Sequence, residues 1–414
     1  MKVLVIGSGG REHAIVDALS RSAQVSEILC APGNAGIAQQ ARTFPVKDTD
    51  VEGLLKIALD EKVDLTVVGP ESALAAGVAD AFKAHGLRIF GPTKAAAQIE
   101  SSKEFAKNLM AKYGIPTAGY ETFTDYESAK AYVEAHSLPT VLKYDGLAAG
   151  KGVVIATTLE EADSALRDML LDDKFGKGKV VIEEFLTGPE FSLLCFVAGE
   201  VVVPMVLAQD HKRAYDGDKG PNTGGMGAYS PLPFITEEDR EYALEHVMRP
   251  TAAAMVKEGV PFCGVLYGGL MKTPDGVKVI EFNARFGDPE TEVVLPRLKS
   301  DIYDVFCAFA EGRGAELEWS EKATLGIVLA SKGYPGDYEK GHVIEGLDKV
   351  DAKVYHMGTA LKDGKFVTNG GRVLFVVGEG DTLKEAQAAA LAAVEKIECD
   401  NLFHRTDIGY QAIK

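Results

Sequence analysis

The chain has 414 residues and a formal net charge of −17, with 46% hydrophobic and 25% charged residues. That length exceeds what one core holds and predicts roughly two to four domains, while the composition is that of an ordinary globular protein. The acidic balance, with no long basic run to offset it, excludes a nucleic-acid binder but leaves anionic small molecules open, because local Lys, Arg and backbone N–H groups can hold phosphate.

The first hundred residues alternate strands and helices. M-K-V-L-V-I-G opens as a buried strand and R-E-H-A-I-V-D-A-L-S continues as a helix. V-S-E-I-L-C-A-P-G-N, an apolar helix at 51–59, V-D-L-T-V-V-G-P-E-S, another helix and L-R-I-F-G-P-T follow. This alternation predicts a small parallel sheet with helices on both faces. The strands end in turns at Gly7-Ser8-Gly9-Gly10, Pro32-Gly33-Asn34, Gly69-Pro70-Glu71 and Gly91-Pro92-Thr93, which would gather at the carboxyl edge where such sheets bind ligands. The first turn is not a dinucleotide fingerprint. Glu12 stands where the third glycine belongs, and Cys30-Ala31-Pro32-Gly33 lacks the acidic residue that would hold a ribose. It is either an anion site through the Gly9 and Gly10 amides or a tight structural turn.

From residue 102 the pattern changes. S-S-K-E-F-A-K-N-L-M-A-K-Y is a helix with a Ser cap, closed by Gly114 and Pro116. L-P-T-V-L-K-Y-D-G-L-A-A-G-K-G-V-V-I-A then predicts strand, Gly-rich turn and strand, with Lys143 on the first strand and Lys151 beyond the turn. The turn is too short for a Walker A loop, ends in Gly152 rather than Ser or Thr, and precedes no helix. It is either a flap carrying cations over phosphates or a hairpin with solubilising lysines. V-V-I-E-E-F-L-T-G-P-E-F-S-L-L-C-F-V predicts two strands joined by a short extended connection. Glu183 and Glu184 either flank an adenine edge, with Glu190 reaching the ribose, or face solvent. Residues 209–231 have five glycines and no periodicity, and read as a long substrate-binding loop without structure of its own. Within it His211 is a hydrogen-bonding residue or a base.

The stretch V-I-E-F-N-A-R-F-G-D-P-E-T-E, 279–292, places Glu281, Asn283 and Arg285 at alternate positions, hence on one face of a strand. A carboxylate, an amide oxygen and a guanidinium on one face suit Mg²⁺ beside a phosphate-gripping arginine; the alternative is an ordinary polar outer face. Phe286-Gly287-Asp288-Pro289 ends the strand. Beyond 322, L-G-I-V-L-A, a K-D-G-K hairpin turn, R-V-L-F-V-V and an Ala-rich amphipathic helix at 382–397 predict a compact α+β unit. The five cysteines, Cys30, Cys195, Cys263, Cys307 and Cys399, are widely spaced without a C-x-x-C pair, so reduced thiols are expected rather than disulfides or zinc. With no cleavable signal or bilayer-length apolar run, a cytoplasmic enzyme without membrane contact is expected.

Taken together, the chain closely resembles the glycinamide ribonucleotide synthetase family (phosphoribosylamine–glycine ligases) of the ATP-grasp superfamily, along its full length. The resemblance is carried by G-S-G-G-R-E-H-A, G-P-E-S-A-L-A-A-G, L-K-Y-D-G-L-A-A-G-K-G-V, E-E-F-L-T-G-P-E, E-F-N-A-R-F-G-D-P-E-T-E and, most specifically, D-H-K-R-A-Y-D-G-D-K-G-P-N-T-G-G-M-G. It implies a multidomain fold of α/β and α+β classes. An N-terminal parallel α/β substrate-binding domain would span 1–101. A central ATP-grasp domain would span 102–321, with a mobile small lobe at about 120–190, and a small C-terminal α+β domain would span 322–414. The implied reaction joins glycine to 5-phosphoribosylamine through glycyl phosphate, giving glycinamide ribonucleotide, ADP and phosphate in purine biosynthesis.

The resemblance also implies residue roles. Glu281 and Asn283 would hold Mg²⁺ or Mn²⁺ at the ATP phosphates. Lys103 and Lys143 would contact phosphate, Gly150 and Lys151 belong to the flap, and Glu183, Glu184, Phe185, Leu186 and Glu190 would surround adenosine. Arg285 would stabilise the acyl-phosphate and tetrahedral states, and Asp210 would hold an ammonium, of glycine or of the ribosylamine. Gly9, Gly10 and Glu71 would bind the sugar phosphate, and Asn222, Thr223, Gly224 and Gly225 would complete the pocket. Many relatives carry a further carboxylate on the preceding strand, where this chain has Leu270 and Met271. A monomer or weak homodimer is expected. Three alternatives stay open: another ATP-grasp ligase or carboxylase acting on a purine-pathway ribonucleotide, an NAD-dependent oxidoreductase, and a catalytically silent nucleotide-binding regulator.

Overall fold

A computed structural model describes residues 1–146, 152–172, 174, 176 and 178–413. The apolar strand Lys2–Gly7 lies at the centre of a five-stranded sheet. It pairs in parallel with Glu27–Pro32 and Leu65–Val68, and Arg42–Thr43 and Ile89–Phe90 form the edges, also parallel. Its successive residues serve opposite faces. Leu4 and Ile6 pack in one core with Leu54 and Phe82, whereas Val3 and Val5 pack in another with Ile15 and Leu19. A run apolar on both faces is what helices above and below require.

The small lobe is an antiparallel sheet of Tyr120–Phe123, Val180–Glu184, Thr140–Tyr144 and Val153–Ala156, in that order. Helices Tyr126–Ala135 and Leu159–Leu170 cover it, and Val133, Leu166 and Met169 share a core with Leu142 and Ile182. The connection at 185–189 leads out of this lobe into a second antiparallel sheet, ordered Val201–Pro204, Glu190–Ala198, Cys263–Thr273, Gly276–Asn283.

The C-terminal unit is built on Ala323–Ser331, flanked by Arg372–Gly380 and then Lys353–His356 on one side, with helix Leu383–Val394 packed on it. On its other side the sheet continues into Gly227–Ser230 and Gln209–Asp210. The segment 209–231 is therefore not the unstructured loop its composition suggested. It contains those two strands and a small hairpin of Arg213–Tyr215 and Lys219–Asn222, turned through Gly217 and Asp218 at φ of 69° and 52°. Strands this short do not establish a periodicity that a sequence window can register. All five cysteines are free thiols. Among the described residues, no helix is long and apolar enough to cross a membrane.

Candidate active site

A cavity of about 570 Å³ opens where the parallel sheet, the small lobe, the second sheet and the C-terminal unit meet. Its floor is the end of the second sheet. Tyr267 stands directly opposite Asn283, and Gly269 lies between Ser192 on one side and Glu281 on the other. Directly opposed residues share a sheet face, so Ser192, Tyr267, Glu281 and Asn283 form one polar patch, of which the last three line the cavity. Gly269 makes room for this patch: a Cβ there would lie 3.2 Å from Cγ of Glu281. The register slips between Gly269 and Leu270, and Leu270 and Met271 are both buried, so this strand adds no carboxylate beside Glu281 and Asn283.

Arg285 follows the strand and reaches into the cavity. Its Nη2 lies 2.9 Å from Glu100 Oε1 and 3.5 Å from Asn283 Oδ1, and its Nε lies 3.3 Å from Glu71 Oε2. Burial works to lower the Arg285 guanidinium, and Glu100 and Glu71 outweigh it, holding it above its usual value. Burial likewise works to raise Glu71, and Arg285 and Arg11 outweigh it, keeping that carboxyl below its usual range. Glu100 goes the other way: burial raises it despite Arg285. Its second oxygen accepts the Ala284 N–H at 2.8 Å, which ties the strand end to the parallel domain.

Lysines line the cavity as well. Ser102 caps helix Lys103–Tyr113, and Asp145 accepts the Lys103 N–H at 2.6 Å, so the Lys103 side chain starts at a fixed point and its Nζ donates to Gly146 O. Burial lowers Lys103, with Glu281 opposing. Lys143 donates to Ile280 O at 2.8 Å and to Glu183 at 3.0 Å. Lys107 Nζ lies 3.1 Å from Glu183 Oε2 and donates to Thr117 Oγ1, and burial pushes it down to about 8 against the pull of Glu183. Glu183 is thus a buried anchor for two lysines that also lines the cavity, rather than a solvent-facing residue. Glu184, Phe185, Leu186 and Glu190 do not line this cavity; Glu184 accepts the Gly119 N–H, and Glu190 lies 3.5 Å from Lys212 Nζ. Gly150 and Lys151 lie outside the described residues.

At the turn after the first strand, a side chain of the following helix folds back on the backbone. Glu12 accepts the Gly9 N–H at 2.7 Å and fills the space over Gly7 and Gly69, where any Cβ would collide with its side chain. A Cβ on Gly10 would meet Glu292 Oε1, and Asp288 accepts the Arg11 N–H, so carboxylates crowd this helix start. Neither Gly9 nor Gly10 lines the cavity; Glu71 and Arg11 do. At this turn, then, the Gly9 amide is engaged by Glu12 in the structure.

Asp210 lines the cavity with its partner Lys212, whose Nζ lies 2.9 Å away. Asn222, Thr223 and Gly224 line it as well, whereas Gly225 sits behind them at φ 120°, with Pro289 where a Cβ would be. Arg372 holds this turn, donating to Gly224 O at 2.9 Å and pairing with Asp288 at 2.9 Å. His211 is buried, and its Nε2 accepts the Gly409 N–H at 2.9 Å. Burial, helped by Arg405, pushes it down to about 4, so it is a neutral structural acceptor.

Models of three phosphoribosylglycinamide synthetase domains match this chain in order: the N domain at 1–100, the ATP-grasp (A) domain at 101–291 and the C domain at 324–411. The chain belongs to the phosphoribosylamine–glycine ligase family. The phosphoribosylamine–glycine ligase of Halalkalibacterium halodurans is 55% identical over 417 residues, covering 100% of this chain and 97% of that one. The crystal structure of phosphoribosylamine–glycine ligase from Thermotoga maritima superposes with a TM-score of 0.88 at 36% identity, covering 99% of this chain and 100% of that one. The biotin carboxylase domain of Hydrogenobacter thermophilus 2-oxoglutarate carboxylase, solved with MgADP and bicarbonate, shares the fold with a TM-score of 0.73 at 16% identity, over 97% of this chain and 91% of that one. Family membership includes the ATP-grasp architecture and the use of ATP with Mg²⁺.

Several cavity residues escaped the sequence reading: Arg11, Glu100, Lys107, Lys212, Tyr267 and Glu290. Arg11 and Glu290 sit inside quoted motifs and could have been raised as candidates. Glu100 and Lys107 carry no local signal, because their partners lie far along the chain.

Proposed function

We propose that this cavity is where the chain uses ATP to activate the carboxylate of glycine and joins it to 5-phosphoribosylamine. The activity is that of its family, phosphoribosylamine–glycine ligase activity in purine biosynthesis. One arrangement carries the site assignment: Glu281, Asn283 and Arg285 meet at a single strand end, and Lys103 and Lys143 line the same cavity.

A carboxylate resists attack by an amine because its oxide cannot leave. A glycine carboxylate oxygen therefore attacks the γ-phosphorus of ATP, the bond to the ADP oxygen breaks, and glycyl phosphate forms. The ribosylamine nitrogen then attacks the glycyl carbonyl, the carbon–oxygen bond to phosphate breaks, and the nitrogen gives up its proton. Such chemistry needs positioning, charge neutralisation and exclusion of water rather than a covalent enzyme intermediate.

The chain's residues fit those needs. The Lys103 ammonium is held by the Gly146 carbonyl and the Lys143 ammonium by the Ile280 carbonyl and Glu183, so both are fixed before phosphate arrives. Arg285 supplies a rigid planar cation for the oxygens that gain charge as the phosphoryl group and then the carbonyl react. Glu281 and Asn283 give two oxygen donors and, among the described residues, no cluster of three or more His, Cys, Asp or Glu offers a closed metal cage. That donor set suits Mg²⁺, or Mn²⁺ in its place, which completes its shell with substrate phosphates and water. When bound there, the ion supplies neutralisation of phosphate charge. Asn222, Thr223 and Gly224 shape the sugar end, with Glu71 available to ribose hydroxyls. A cytoplasmic setting follows from the pathway.

The test is ADP release from ATP and Mg²⁺, with glycine and freshly generated phosphoribosylamine supplied singly and together. Turnover with both, and a product heavier by one glycyl unit, is expected. Turnover that depends on bicarbonate or formate instead would overturn the glycine assignment.

A further inference from the structure

Near the end of the chain, residues 404–410 run beside the hairpin of Arg213–Tyr215 and Lys219–Asn222. The two hairpin strands form a small sheet of their own. A hairpin of that size is marginal in water without further support. Arg405 supplies it. This side chain is fully buried, and its Nε and Nη2 donate to the two oxygens of Asp407 at 2.8 and 2.9 Å. Its Nη1 donates to Asp218 Oδ1 in the hairpin turn at 3.0 Å and to Arg213 O in the first strand at 3.1 Å. Around it, Asp407 accepts the Gly217 N–H at 2.8 Å, Asp216 accepts the Thr406 N–H at 2.8 Å, and the Tyr410 hydroxyl donates to Asp218 at 2.6 Å. The whole turn is clasped. Arg213 pairs directly with Asn222, and Asn222 and Thr223 line the cavity, whereas Arg405 does not.

We propose that Arg405 is a positioning residue for the phosphoribosylamine end of the site, clasping the hairpin so that Asn222 and Thr223 stand at one place in the cavity. This rests on the reading above that those residues meet the sugar. A buried ion pair adds little net stability over apolar packing, and its use here is to specify one arrangement. The planar guanidinium is suited to that, because its fork meets a carboxylate and two further acceptors at set angles. The Arg213 carbonyl is the contact that carries the effect to the cavity, since it belongs to the residue paired with Asn222. At the base of the hairpin, the Thr223 N–H donates to Lys212 O at 2.7 Å. With base and turn both tied, the strand Lys219–Asn222 reaches the cavity wall in a single register.

The test measures ADP release by wild type, Arg405→Lys and Asp218→Gly, varying one substrate at a time. Lys keeps the charge and loses the fork. Asp218→Gly removes a carboxylate from a turn position whose φ of 52° glycine adopts without strain, and it decides the matter if Arg405→Lys does not fold. A displacement of about 1 Å arising far from the chemistry costs up to about 100-fold. The KM for phosphoribosylamine should therefore rise about tenfold or more in both variants, with kcat and the KM values for ATP and glycine within about threefold of wild type. An unchanged phosphoribosylamine KM, or a rise confined to ATP or glycine, overturns the proposal. A parallel fall of kcat/KM for all three substrates would mean a merely structural role and also overturns it. Absence of glycine-dependent turnover in the wild type would instead overturn the ligase reading itself.

Discussion

At the scale of single residues, Arg285 shows how the site keeps a buried cation ready. In the structure its guanidinium is shared by Glu71 and Glu100, so the charge is compensated before any substrate binds. Glu71 is the more exposed of the two and the one that can turn to a ribose, whereas Glu100 also holds the Ala284 N–H and stays. Losing a preorganised donor to developing charge typically costs about 10²–10³ in kcat. Arg285→Ala should fall in that range with the KM for ATP little changed. Arg285→Lys should recover only a small part, because an ammonium lacks the planar fork. Steady-state kinetics on purified variants with unchanged thermal midpoints check both.

At the scale of elements, the paired strands Cys263–Thr273 and Gly276–Asn283 explain what could be read beforehand. Glu281, Asn283 and Arg285 were legible because a period of two survives in any extended strand. The parallel sheet was legible for a similar reason, since each apolar run ends in its own turn residues. The helix cap at Ser102 and the turn at Gly114 were equally local. What was hidden depends on contacts between distant segments. Glu183 looked like a surface residue until Lys107 and Lys143 closed around it. Nothing local announced that Glu12 turns back to the Gly9 N–H. The 209–231 segment looked shapeless because its strands borrow their order from the C-terminal sheet. One glycine has a sharper role than its sequence context shows. A methyl group at Gly269 presses on Glu281, so Gly269→Ala should move this proposed metal ligand by a few tenths of an ångström. The Mg²⁺ concentration for half-maximal activity should rise about tenfold, within the range typical of disturbed ligand support. A Mg²⁺ titration at saturating ATP reads this directly.

At the scale of the whole molecule, neutral histidines join the C-terminal unit to the rest. His13 Nδ1, in the first helix, accepts the His356 N–H at 2.8 Å, and His211 Nε2 accepts the Gly409 N–H at 2.9 Å. Burial pushes His13 and His211 down to about 4, and His356 to about 3. An unfolded chain protonates its histidines near 6.5, so between pH 6.5 and 4 it binds more protons than the folded one. Stability is therefore complete above pH 6.5 and falls as the pH drops through that window. At pH 5 the loss should be about 2 kcal/mol for each of His13 and His211. His211→Gln keeps an acceptor that does not titrate, and should flatten the fall of the thermal midpoint between pH 7 and pH 5. A variant that tracks wild type over that range would remove His211 from the account.

The central claim is that glycine's carboxylate takes the γ-phosphoryl group in the cavity before it meets the ribosylamine. Glycine labelled with oxygen-18 in both carboxyl oxygens tests this most directly, by mass analysis of the released phosphate and the ribonucleotide product. The account predicts one labelled oxygen in the phosphate and one in the new amide. Phosphate free of label, with turnover intact, would contradict it.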